Sequence, residues 1–370
     1  MDLTLDARLI NNSGIGVYIQ NLIRQLILQK LSLTLLHRSQ DASFFNQFPD
    51  TKLKVFNPPL YSVKELLQTP RETLGSNIFW SPHYNVPLVN GARKLKITTI
   101  HDVFHLAFSD ALSSKQKLYA KLMMSRAIRS DLIFTVSAFS KQEIIKYTNC
   151  NPAKIKVVHN GIDFDKFSGE IDEPTAAAIL GRLKVQFPYI LFVGNVKFYK
   201  NLVNALLGFK EMIRQTGSLY KDLKFVIVGK KEGFIVGDDK ISSLLNDEVL
   251  QKHVHFTGWI ADEELVALYQ HAQLFIFPSL YEGFGFPPLE AMAAGCPVIS
   301  SNAACMPEVC GEAVHYFDPK DTVAIAKSLQ AVLGDDGYRQ QLIVKGWKQV
   351  KKYTWQNAVE EKLRYIQAAI

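Results

Sequence analysis

The residue types best suited to chemistry are concentrated in Phe277-Pro-Ser-Leu-Tyr-Glu-Gly-Phe-Gly-Phe-Pro-Pro-Leu-Glu-Ala-Met-Ala-Ala-Gly-Cys-Pro-Val-Ile-Ser300. Glu282 and Glu290 flank a loop containing Gly283, Phe284 and Gly285, and ionised carboxylates accept hydrogen bonds without donating any, which suits the hydroxyls of a sugar or ribose. The local pattern is an apolar strand ending near Pro278, a glycine loop, a helix with Pro288 in its first turn, a stop at Gly295, and Pro297 blocking continuation. Each acid also has a plain alternative: Glu290 as a first-turn glutamate favoured by the helix dipole, Glu282 as a solvated loop acid. Together with the loop, the two point to a ligand site.

Three further segments come after predicted strands. Gly194-Asn-Val-Lys-Phe-Tyr-Lys-Asn201 places Lys200 at the start of a helix, where a cation opposes the dipole and better serves a diphosphate than the helix itself. Asn11-Asn-Ser-Gly-Ile-Gly-Val-Tyr18 places Gly14 and Gly16 before a helix whose N–H groups could hold a phosphate or carboxylate. Ile19 stands where a dinucleotide fingerprint needs a third glycine, so the alternative is a tight turn without ligand. His101-Asp-Val-Phe-His105 has zinc-like spacing, but it reads as loop and lacks the helical His-Glu pair. His101 facing a sugar, or locally hydrogen-bonded, are the two readings, and no metal is expected.

These segments need a scaffold of alternating strands and helices. Predicted strands at Leu3–Leu5, Leu33–Leu36, Leu53–Phe56, Lys96–Ile100, Leu132–Val136 and Ile155–Val158 alternate with amphipathic helices such as Val17–Gln29. After a polar stretch the alternation resumes at Tyr189–Val193, Lys224–Val228, Val254–Thr257, Leu274–Phe277 and Val298–Ser300. The expected division is a domain over 1–166, a linker over 167–188 and a domain over 189–353, with a helix over 354–370 returning to the first. Two doubly wound α/β domains of Rossmann type then place their strand C-termini around an interdomain cleft. The 370 residues suit two domains of roughly 150 residues each.

Composition narrows the function. Hydrophobic residues make up 48% and no apolar run reaches the ~20 residues of a bilayer span. Asp2 and Asp6 disfavour a signal peptide, and four cysteines without a C-x-x-C pair suit reduced thiols, so a cytoplasmic protein is expected. The net charge of +7 is uneven: residues 1–166 carry +9 and residues 167–370 carry −2. Lys115, Lys117, Lys121, Arg126 and Arg129 interleave with Leu118, Leu122 and Met123, either as a solvated helix face or as peripheral contact with an anionic membrane or acceptor. No basic and aromatic stacking pattern accompanies this charge, so no nucleic-acid partner is expected.

In order along the chain, Ser13-Gly-Ile-Gly-Val-Tyr18, His101-Asp102, Val136-Ser137, Asn160-Gly-Ile-Asp163, Lys200-Asn201 and the Glu282 to Glu290 segment resemble the retaining nucleotide-sugar glycosyltransferases of GT-B fold, family 4 group. The resemblance covers nearly the whole chain. It implies that Glu290 binds the donor ribose, that Glu282 with the amides of Gly283, Phe284 and Gly285 meets the donor sugar, and that Lys200 neutralises the diphosphate. It further implies that His101 contacts the transferred sugar and that Gly14 and Gly16 approach the diphosphate and acceptor. Asn195 after Gly194 departs from the arginine common there, and Lys197 or a neutral donor would fill that role. The implied reaction moves a hexose, mannose from GDP-mannose as first choice, to a hydroxyl of a glycan or lipid-linked glycan in cell-surface polysaccharide synthesis, without cofactor or metal. The alternatives are another GT-B enzyme, such as a sugar-phosphate synthase or nucleotide-sugar epimerase, or a noncatalytic nucleotide-sugar-binding subunit.

Overall fold

The computed structural model describes residues 2–370 apart from 61, 63, 66, 69–74, 88–93 and 230–239. Its contacts divide the chain into one unit running up to Gly161 together with Tyr353–Ile370, and a second spanning Ile162–Lys352.

Among the described residues, the first unit holds a parallel sheet of β1 (Asp2–Asp6), β2 (Ser32–His37), β3 (Lys52–Val55), β4 (Ile78–Ser81), β5 (Leu95–Thr99), β6 (Leu132–Thr135) and β7 (Ile155–Val157), in the order β3-β2-β1-β4-β5-β6-β7. The second holds β8 (Tyr189–Val193), β9 (Lys224–Val228), β10 (Val254–Gly258), β11 (Leu274–Phe277), β12 (Val298–Ser301) and β13 (His315–Phe317), in the order β10-β9-β8-β11-β12-β13. Central parallel strands are covered on both faces and read as unbroken apolar runs. Leu-Phe-Ile-Phe of β11 is wholly buried, whereas the edge strand β3 is largely exposed. Both sheets are doubly wound, and each reverses strand order once, at β1/β4 and at β8/β11. Ligands of open α/β sheets bind beyond the strand C-termini at such a reversal.

Several boundaries differ from the sequence expectation. β4, Ile78-Phe-Trp-Ser81, and the three-residue β13 were not expected: both are too short to show a period, and both are fixed by their neighbours, as in Leu3↔Ile78 and Ser300↔Tyr316. The stretch 167–188 is no linker. Asp163 and Asp172 cap helices Phe164–Ser168 and Glu173–Arg182 by accepting from the N–H groups of Lys166 and Thr175, so the polarity marks helix starts within the second unit.

The helices of the two units include α1 (Ser13–Leu28), α2 (Ser114–Ala127), α3 (Leu202–Thr216), α4 (Asp262–His271), α5 (Phe286–Ala293) and α6 (Trp355–Ala369). α6 packs on α1 and β6 in the first unit, where Trp355 lies 6.1 Å from Tyr18 and Tyr365 6.4 Å from Phe134, centroid to centroid.

Candidate functional site

At the reversal of the second sheet, the chain leaves β8 through Gly194–Asn201 and leaves β11 through Pro278–Gly285. Backbone and side chain lock these loops together. The Leu280 N–H donates to Tyr199 O at 2.7 Å, and Asn201 Nδ2 donates to Pro278 O at 3.0 Å and to Pro319 O at 2.7 Å. Asn201 is buried and left-handed, with φ of 58°, a conformation that asparagine tolerates better than most residues. This staple brings Lys200 Nζ to 2.6 Å from Glu282 Oε1, with the two side chains only 15% and 14% exposed. Lys200 also lies 5.4 Å over Phe277 and 5.9 Å from the Tyr199 ring, and Lys197 approaches that same ring at 5.7 Å. Two cations therefore flank one aromatic ring, and one of them, Lys200, is paired with the carboxylate. Gly194 donates its N–H to Val228 O, and half-buried Asn195 comes next.

Gly283, Phe284 and Gly285 are buried beside this pair. Gly285 caps α5 with φ of +84°, and a Cβ there would lie 2.5 Å from Met306 Cε, so this position requires glycine. Pro287 and Pro288 lack N–H groups, which leaves residues 283–286 as the amide donors of this turn. Glu290 is the fifth residue of α5, beyond the first turn, so the dipole does not account for it. Burial pushes its carboxyl up to about 7, opposed by the Tyr269 hydroxyl donating to Oε2 at 3.1 Å and by Lys166, and reinforced by Asp262. At neutral pH this group is poised between carboxylate and acid.

In the first unit, His101 lies two residues beyond β5 and its Nε2 is 2.9 Å from Pro82 O. A carbonyl only accepts, so Nε2 carries the proton. Burial holds the imidazole below its ordinary pKa, which leaves Nδ1 with the lone pair. The ring meets Tyr18 edge-on at 4.8 Å. Gly14 and Gly16 do not precede the helix as expected; they form the first turn of α1. A Cβ on Gly16 would lie 2.4 Å from Ile10 O, so helix packing against the preceding loop explains that glycine without a ligand.

The structure thus joins Lys200, Glu282, Lys197 and the loop 283–285 in one place, with Glu290 on the helix that begins there. His101, Gly14 and Gly16 belong to the other unit. Sequence reasoning missed the Asn201 staple and the Tyr269 donor; the Asn next to Lys200 was a readable signal for the first, whereas nothing local marks the second. Among the described residues, no group of three His, Cys, Asp or Glu is disposed to hold a metal ion, and no helix is long and apolar enough to cross a membrane.

Residues 12–166 match the family described as Glycosyltransferase Family 4, and residues 181–349 match Glycosyl transferases group 1. The chain belongs to the family 4 group of GT-B glycosyltransferases. It is 27% identical over 370 residues to O-antigen chain mannosyltransferase B of Escherichia coli, covering 94% of each chain. It is also 27% identical over 230 residues to the serotype-specific mannosyltransferase WbdA of Escherichia coli, covering 62% of this chain but 28% of that protein. The crystal structure of Anabaena HepE with UDP-glucose superposes with a TM-score of 0.79 at 14% identity over 99% of both chains, a likeness of fold. In this glycosyltransferase the paired Lys200 and Glu282 occupy the loops where a doubly wound sheet receives its ligand.

Proposed function

We propose that this glycosyltransferase transfers mannose from GDP-mannose, with retention at the anomeric carbon, to a hydroxyl of a glycan or lipid-linked glycan in polysaccharide synthesis. The observation that carries the reading is the Lys200–Glu282 pair at the β8/β11 reversal, with Lys197 on the same aromatic ring. Mannose and polysaccharide are supported by the name of the 27%-identical Escherichia coli relative.

In this reading Lys200 and Lys197 neutralise the departing diphosphate, with the amides of 283–286 beside them, which provides fixed donors where charge develops. Glu282 holds Lys200 and accepts from a donor-sugar hydroxyl; Glu290, as carboxylate, accepts from the ribose hydroxyls. His101 accepts from a sugar hydroxyl at Nδ1. The acceptor oxygen bonds to the anomeric carbon on the face from which the diphosphate leaves, the carbon–oxygen bond to phosphate breaks, and the acceptor proton passes to the leaving phosphate oxygen.

A mass-spectrometric panel of GDP-, UDP- and dTDP-sugars in EDTA tests this. Consumption of GDP-mannose, lowered by Lys200→Ala and Glu290→Ala, with an α-linked product, is expected. Consumption of UDP-glucose alone overturns the donor assignment, and no consumption or binding of any donor overturns the site.

The same reading puts the enzyme in the cytoplasm against the inner membrane face. On α2, Leu118 and Leu122 are 71% and 44% exposed beside the exposed Lys115 and Lys121. Association with anionic vesicles should fall on Leu118→Ser/Lys121→Glu and with added salt; salt-insensitive association refutes it.

A further inference from the structure

Tyr269, near the end of α4, is fully buried within the second unit. Its ring meets Phe275 of β11 at 5.4 Å and Phe167 at 6.2 Å, each edge-on at 72°. A phenol fixed from two sides can aim its single O–H in few directions, and a buried hydroxyl needs an acceptor. Tyr189 on β8 shows the ordinary outcome, since its buried hydroxyl donates to a backbone carbonyl, Leu268 O, at 2.8 Å. Tyr269 donates instead to a side-chain carboxyl, Glu290 Oε2 on α5, at 3.1 Å.

That bond holds Glu290 by one oxygen. Oε1 accepts from no group among the described residues, and Glu290 as a whole is only half-buried, so the carboxyl has a closed side at Tyr269 and an open one. The terminal torsion of a glutamate is broad, and fixing it beforehand removes a cost that a ligand would otherwise meet on binding. The same bond bears on ionisation, because a phenol donates more strongly to a carboxylate than to an acid. Burial, reinforced by Glu290, keeps the Tyr269 phenol well above its ordinary value, so it remains a donor wherever Glu290 titrates. The charges acting on Glu290 are Lys166 and Asp262, which are exposed, joined to each other at 2.6 Å and of opposite effect. Asp163 and Asp165 beside Lys166 are exposed, β11 and β12 beneath α5 carry no charge, and helix Asp336–Val350 meets α5 through Gly346 at Met292 with its Lys345 and Lys348 exposed. Cys296 acts on Tyr269, and burial keeps its thiol protonated. The buried hydroxyl is therefore the fixed group against which this carboxyl is set.

We propose that Tyr269 is a positioning residue for the nucleotide: it pins Glu290 Oε2 from the closed side and so presents Oε1, as carboxylate, to a ribose hydroxyl. Nucleotide affinity at neutral pH then depends on a residue that touches no part of the ligand. This rests on the reading of Glu290 as the ribose acceptor.

The test is calorimetric titration of the full chain with GDP, and in parallel with UDP, from pH 6 to pH 9, in the wild type, Tyr269→Phe, Glu290→Gln and the double variant. Phenylalanine keeps the ring between Phe275 and Phe167 and removes only the hydroxyl. Losing one hydrogen bond to a charged group corresponds to about one pH unit, so the midpoint of the Kd profile should rise by about that much in Tyr269→Phe. Affinity then falls up to about fivefold at pH 7 and is nearly restored at pH 9. In the Glu290→Gln background Tyr269→Phe should have no further effect. Thermal melts at pH 9 check folding, and Tyr269→Leu, which also lacks the hydroxyl, should show the same displacement. A side chain that only packs would weaken binding equally at every pH. An unmoved midpoint, an equal loss at pH 7 and pH 9, or a loss that persists in the Glu290→Gln background overturns the proposal. If Glu290→Gln abolishes the pH dependence but Tyr269→Phe leaves the midpoint in place, the ribose reading stands and this proposal alone fails. If Glu290→Gln leaves nucleotide binding unchanged, or neither nucleotide binds, the ribose reading fails and the proposal with it.

Discussion

Lys362 on α6 is 1% exposed, and its Nζ has no hydrogen-bond partner among the described residues. It faces two aromatic rings, Tyr18 at 5.5 Å and Phe134 at 6.0 Å. Burial pushes its amine down to about 7, opposed by Glu361. From an ordinary 10.5, that displacement corresponds to about 5 kcal/mol against the folded state wherever the amine is charged, at 1.36 kcal/mol per pH unit. Methionine keeps the unbranched stem and removes the charge, so Lys362→Met should stabilise the protein by up to about 5 kcal/mol below pH 7. Between pH 7 and 10.5 the unfolded chain binds the extra proton, so wild-type stability climbs with pH relative to the variant and the difference closes. Urea denaturation at pH 6, 7.5 and 9, monitored by tryptophan fluorescence, measures both effects. A destabilised variant at pH 6, with a difference that does not change with pH, would refute the argument and mean that Lys362 has a partner that keeps it charged.

The donor site and the first helix make three further predictions. Lys200→Ala should cost roughly 10²- to 10³-fold in kcat, the scale of losing one group that stabilises the leaving charge, and Lys197→Ala should cost less alone but add to it; steady-state kinetics on both and on the double variant decides whether Lys197 shares the diphosphate. Because burial pushes the Glu290 carboxyl up to about 7 and the proposed ribose contact is stronger to a carboxylate than to the acid, donor Kd measured by calorimetry should fall from pH 6 to pH 8, and Glu290→Gln should abolish that dependence. Gly16→Ala should lower stability by about 2 kcal/mol by pressing a methyl onto Ile10 O, with donor affinity retained; a thermal melt paired with a donor titration separates this from a lost phosphate contact.

The doubly wound architecture was legible because buried parallel strands are apolar throughout, as in Tyr189–Val193 and Leu274–Phe277, and because glycines and prolines punctuate the loops between them. What escaped was structure whose cause is not local. β4 is four residues long and acquires its identity from pairing with β1 and β5, so no window of sequence contains its reason. The polar run beginning at Asp163 looked like a connection because a capping aspartate and a linker aspartate are the same residue until the helix behind it is seen.

The same limit shaped the sites. Lys200 and Glu282 were each visible as an oddly placed charge after a strand, yet their pairing depends on the adjacency of β8 and β11, which lie far apart in the chain. Arg8 and Lys362 were invisible for the opposite reason. A charged residue is ordinarily a surface residue, and Asp6 near the N-terminus served in the sequence only to argue against a signal peptide. Folded, Asp6 ends the strand at the reversal of the first sheet and grips a buried arginine. Topology gives such residues their place: both sheets set an ion pair at the strand reversal, where the departing loops diverge and a charge taken out of water is held by a partner from a neighbouring segment.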